Sequence, residues 1–122
     1  MKYDHLKVRT KKFSIDVIRL LDSLPSKRST NAIANQLVRS ATSVGANYRA
    51  VCRARSRADF ASKMGIVEEE SDECCYWLEL LIELGISTSD ATRALLKEAQ
   101  ELTAIFTASM KTLKQREACG VS

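Results

Sequence analysis

Arg49, Arg53, Arg55 and Arg57 crowd one short stretch, RAVCRARSR, and Lys63 follows. A guanidinium is a planar fork that donates two parallel hydrogen bonds, a geometry that suits phosphate. These five cations are therefore candidate nucleic-acid contacts, made to the backbone rather than to base edges. Arg49, Arg53 and Arg57 are spaced by four, which predicts one face at the end of a helix, with Arg55 in the following turn and Arg39 further back. Lys11 and Lys12 could add contacts from the N-terminal side. The surrounding charge is segregated. From Lys27 to Ala58 there are seven Lys or Arg and no acid, whereas Asp59 to Ile86 holds eight acids and one Lys. A second reading stays open: the arginines pair with those acids, within the chain or between subunits. Exposed pairs contribute only about 0–1 kcal/mol each, so pairing alone explains little stability, although segregated charge can set assembly geometry.

Other chemistries find less support. Glu68, Glu69, Glu70, Asp72 and Glu73 raise the possibility of a di-iron carboxylate bundle, but that site needs Glu-x-x-His pairs, and the sole histidine is His5. Serines and cysteines are present with no histidine placed to act as base, and the four glycines form no phosphate-cradling loop. Cys52, Cys74, Cys75 and Cys119 lack C-x-x-C spacing and are expected to be reduced thiols packed as small hydrophobes, with Cys119 the exposed one. No catalytic residue, cofactor, metal or small-molecule substrate is expected.

The elements that position these residues follow from length and pattern. A chain of 122 residues is one domain, able to bury roughly two thirds of its unfolded surface. One proline and four glycines favour long helices over many short strands. The net charge of +4 leans toward anionic partners. No apolar run reaches the ~20 residues of a membrane span. The basic start, MKYDHLKVRTKK, lacks an apolar signal core, so a cytoplasmic protein is expected.

The apolar spacing predicts four helices over about 8–24, 30–54, 57–85 and 89–117, after a loose basic arm and before a frayed tail. Phe13, Val17, Leu20 and Leu24 form the first stripe, with Ile18 and Leu21 beside it, and Pro25 ends it. Ile33, Leu37, Ser40, Val44, Asn47 and Val51 form the second, flanked by Ala34, Val38, Ala41, Tyr48 and Cys52. The small residues of SATSVGA allow another backbone to come close, which offsets the cost of Gly45 in a helix. Ser29 or Thr30 is the expected cap. Ser56 caps a third helix with the stripe Phe60, Met64, Val67, Ser71, Cys74, Leu78 and Leu81, widened by Trp77, Ile82 and Leu84. Gly85 ends it. Ser87 or Ser89 caps the fourth, striped by Leu95, Ala99, Leu102, Phe106, Ser109 and Leu113. Connections of about two to five residues imply an up-down-up-down antiparallel four-helix bundle, all-α and single-domain. Tyr48, Tyr76 and Trp77 lie on or beside apolar stripes and are expected in the core or an interface rather than as base-stacking platforms.

The run QLVRSATSVGANYRAVCRARSRADFASKMGIVEEESDECCYWLELLIE, Gln36 to Glu83, closely resembles the four-helix-bundle family of 23S ribosomal RNA intervening-sequence proteins. The distinctive parts are QL-RSA-S-GANYR-A, RARS--DF and YWLELL. The resemblance covers Arg39, Asn47, Tyr48, Arg49, Ala54, Arg55, Ser56, Asp59 and Phe60, then Lys63, Glu69, Asp72, Glu73, Tyr76 and Trp77. The first and fourth helices match in pattern only. The family is also similar to the accessory variability protein of diversity-generating retroelements, which implies a homopentamer with a basic surface for RNA or DNA. It supplies no catalytic residue. A basic residue usual near the middle of the third helix is replaced here by Glu68, Glu69 and Glu70, which shifts the weight to the second helix and the arm.

Two functions follow as expectations. The first is a non-enzymatic oligomer that binds structured RNA or DNA electrostatically, as a scaffold or chaperone for a ribonucleoprotein. The second is a structural oligomer or protein-interaction module whose charge segregation serves subunit docking, with no nucleic acid bound.

Overall fold

The four apolar stripes wind into four helices in a computed structural model that describes residues 4–118: α1 (Asp4–Asp22), α2 (Arg28–Val51), α3 (Arg57–Glu83) and α4 (Asp90–Ala118). No strand occurs among the described residues. Each helix packs against its sequence neighbours, α2–α3 and α3–α4 most extensively, and α1 closes the ring thinly against α4. The diagonal pairs have no close backbone approach. This is the up-down-up-down antiparallel bundle.

The core lies on the stripes. Phe13, Val17, Leu37, Val44, Tyr48, Val67, Leu78, Leu81, Leu102 and Phe106 are fully or almost fully buried. Tyr48 and Phe106 meet across the centre with ring centroids 5.6 Å apart. Two expected stripe members face out: Ile18 is 37% and Leu84 61% exposed. Leu84 is the C-cap of α3, beyond its last helical residue. Asn47 is half-buried, and its amide donates to the Ser43 carbonyl and Oγ within its own helix, both at 2.9 Å.

The small centre of α2 does bring a neighbour close. A side chain on Gly45 would sit 3.3 Å from Ser14 Oγ and 3.5 Å from the Thr10 carbonyl. Ser14 Oγ also donates to the Ala41 carbonyl at 2.8 Å, fastening α1 to α2.

Helix ends differ from expectation in identifiable ways. The N-terminal arm is helical from Asp4, so Lys7, Lys11 and Lys12 ride on α1; residues 1–3 lie outside the described residues. α1 ends at Asp22, and Ser23 and Leu24 tighten its last turn by bonding to the Leu20 and Leu21 carbonyls. α2 starts at Arg28 behind an extended Lys27, with no side-chain cap, so neither Ser29 nor Thr30 caps it. Ser56 caps α3 as expected, its Oγ accepting from the Asp59 N–H at 3.0 Å. α3 closes with the Gly85 N–H bonded to the Ile82 carbonyl, the Ile86 N–H to the Leu81 carbonyl, and Gly85 at φ +71°. That is the six-residue helix stop that glycine favours. Of the two candidates for α4, the later caps: Ser89 Oγ accepts from the Thr92 N–H at 3.2 Å. The tail continues as helix to Ala118.

Candidate nucleic-acid interface

α2 stops at Val51, three residues before the expected end, and Cys52 is its C-cap. The four-residue spacing of Arg49, Arg53 and Arg57 therefore does not lay them along one helix face. Ser56 is extended, with φ −153° and ψ 166°, and the chain turns there. Arg49 sits in the last turn of α2, Arg53 and Arg55 in the connection, and Arg57 at the first position of α3. Together they crown a corner of the bundle.

All four arginines are exposed, and Lys63, almost two turns into α3, is half-buried. None of the five makes an ion pair or a side-chain hydrogen bond with another described residue. The nearest acid, Asp59, accepts weakly from the Arg55 backbone N–H at 3.4 Å. The arginine that does meet the α3 acids is Arg39. Its Nη1 donates to Glu70 Oε2 at 2.8 Å and its Nη2 to Glu73. Trp77 Nε1 donates to the same Glu73 oxygen at 3.1 Å. Burial pushes the Glu73 carboxyl up, but the hydrogen bonds from Arg39 and Trp77 outweigh it and hold the group below its ordinary range. The pairing reading thus describes Arg39 and, within the chain, not the corner.

The N-terminal lysines divide. Lys12 pairs with Asp16 at 2.5 Å. Lys7, Lys11 and Arg49 line a shallow groove of about 440 Å³ between α1 and α2, where Gly45 and Ala46 leave room.

Bundle topology brings one more group to this end. α4 finishes beside the α2–α3 corner, and Arg116, in its last turn, lines a cleft with Arg55 and Arg57. Lys114 and Lys111, two and five residues before it on the same helix end, are also exposed. Sequence reading passed over these three. The signal was available in KTLKQR, a basic end of helix 4 that an antiparallel order must return to the helix 2–3 connection.

The remaining reactive groups are structural in setting. Cys74 and Cys75 are buried and Cys52 is half-buried; Cys119 lies outside the described residues. Burial pushes the Cys74 and Cys75 thiols up. Among the described residues, no three His, Cys, Asp or Glu side chains converge on a point that could hold a metal ion. No described helix is long and apolar enough to cross a membrane.

Comparison with known proteins agrees with this architecture. The family model described as 23S rRNA-intervening sequence protein matches residues 5–108. A crystal structure from Bacteroides thetaiotaomicron, described as a protein of unknown function from the S23 ribosomal protein family, superposes with a TM-score of 0.78 at 31% identity. The match covers 86% of this chain and 97% of that one. No curated protein matches.

Proposed function

This chain belongs to the 23S rRNA-intervening sequence protein family, and from that premise we propose that it is a non-enzymatic, self-associating bundle that binds structured RNA or DNA through phosphate contacts. The observation that carries the reading is the α2–α3 corner. Arg49, Arg53, Arg55 and Arg57 stand exposed there with no acidic partner among the described residues, while Arg39, further back on α2, is clasped by Glu70 and Glu73. A bundle that engages Arg39 in ion pairs and leaves the next four arginines of the chain to solvent has a surface suited to an external anion. The protein works in the cytoplasm as a scaffold or chaperone of a ribonucleoprotein, without cofactor or small-molecule substrate. The family resemblance suggests five copies in the assembly.

The test is fluorescence anisotropy of a structured RNA and a matched DNA duplex, titrated at about 50 to 200 mM salt. Four or five phosphate contacts give a log–log slope of roughly −3 to −4.5. The double variant Arg55→Glu, Arg57→Glu is expected to lose binding while sedimentation velocity shows an unchanged oligomer.

A second reading has its own observation. Val8 is 69% and Tyr76 54% exposed, and Ile15 and Ile18 lie on the outer side of α1. Exposed apolar groups beside segregated charge fit subunit docking. No binding at 50 mM salt, with dissociation of the oligomer in the same double variant, would replace the first reading by this one.

A further inference from the structure

The cleft at the basic corner has a floor as well as a rim. It is an open cleft of about 520 Å³ between the α2–α3 connection and the end of α4. Arg55, Arg57 and Arg116 stand around it, and Ala54, Phe60 and Leu113 supply apolar wall. Phe60 is half-buried, lines the cleft and packs against the core. Ser56 is fixed beside it as the α3 cap.

A surface that reads only backbone charge needs no such hollow. A duplex presents convex phosphate ridges and keeps its bases stacked inside, so it can use the three arginines but not the apolar wall. An unpaired nucleotide uses both. Its phosphates meet guanidinium forks at the rim, and its flat base lies against the apolar side formed by Ala54, Phe60 and Leu113. Single-stranded bases are recognised by stacking on aromatic rings or arginine planes, tolerant of sequence.

We propose that this corner cleft takes one unpaired nucleotide, so that the preferred ligand is a helix carrying a bulge, loop or frayed end beside paired backbone. This rests on the nucleic-acid reading given above and names its ligand more narrowly. Arg116 becomes part of the site, contributed by a helix distant in sequence from the arginine-rich turn.

Two RNA hairpins of equal length separate the ideas, one fully paired and one with a single bulged nucleotide. Anisotropy at fixed salt should show the bulged hairpin bound about fivefold to a hundredfold more tightly, the range expected for one stacked base. Ala54→Trp, which fills the cleft without changing charge, and Leu113→Ser, which removes an apolar wall, should each erase that preference and keep affinity for the paired hairpin. Equal binding of the two hairpins by the unaltered protein overturns the nucleotide cleft and leaves phosphate binding standing. So does a preference that survives in either variant with an unchanged circular dichroism spectrum. Failure of both hairpins to bind at 50 mM salt removes the underlying reading together with this one.

Discussion

Glu73 receives hydrogen bonds from Arg39 on the neighbouring helix and from Trp77 one turn along its own. Its carboxyl is held below the ordinary range despite burial. The ionised form is thus favoured more in the folded chain than in the unfolded one. The stability it contributes is present above the unfolded carboxylate value of about 4.3 and is lost as pH falls through the lower folded value. Thermal unfolding between about pH 7 and pH 3 should show this. Glu73→Gln is expected to melt lower at neutral pH and to lose less on acidification than the unaltered chain. Parallel curves for the two proteins would mean that Glu73 is not a source of the acid sensitivity. Arg39 and Arg55 show what single-residue chemistry does and does not reveal. Both are arginines in the same basic stretch, yet only Arg39 lies far enough back on α2 to face Glu70 and Glu73. That distinction depends on helix pairing rather than residue type.

At the scale of elements, a glycine within α3 and one just past its end should answer oppositely to the same substitution. Gly65 sits within α3, and an added methyl there would meet nothing within 4 Å. Gly65→Ala is expected to stabilise by about 0.5–1 kcal/mol through helix propensity. Gly85 holds φ +71° in the stop between α3 and α4. Gly85→Ala should cost about 1–2 kcal/mol, the penalty of a left-handed residue with a Cβ. Chemical denaturation midpoints measure both, and the same sign for the pair would refute the account. The heptad rhythm of Met64, Val67, Ser71, Cys74, Leu78 and Leu81 was readable because every member is buried. Burial repeats along a helix, and repetition is what a sequence displays. Ends do not repeat. Arg53 kept the spacing of four although the backbone had already left α2 at Val51, with Cys52 as its C-cap, so the side-chain pattern runs on past the break. Arg116 was missed for a related reason. It meets Arg55 only after the whole of α3 and α4 has been folded back, and no local pattern carries that contact.

Across the whole molecule, charge is sorted by position. The end formed by the α2–α3 corner and the close of α4 is rich in arginine and lysine, while the acids of α3 other than Asp59 lie along its middle and far half. The thin α1–α4 seam runs toward the same basic end. It is spanned by Arg9, whose Nε and Nη2 each donate to Glu98 at 2.7 Å, with Glu101 at 3.6 Å. Such a seam has a kinetic consequence. Local opening follows the lowest density of packing, so α1 should be the first helix to yield its amide protons to deuterium, ahead of α2 and α3. Arg9→Ala should widen that lead, and uniform exchange across all four helices would contradict it. Since α1 carries Lys7 and Lys11, each opening would also carry two cations away from Arg49. Anything held across that groove would then latch the helix shut and slow its exchange.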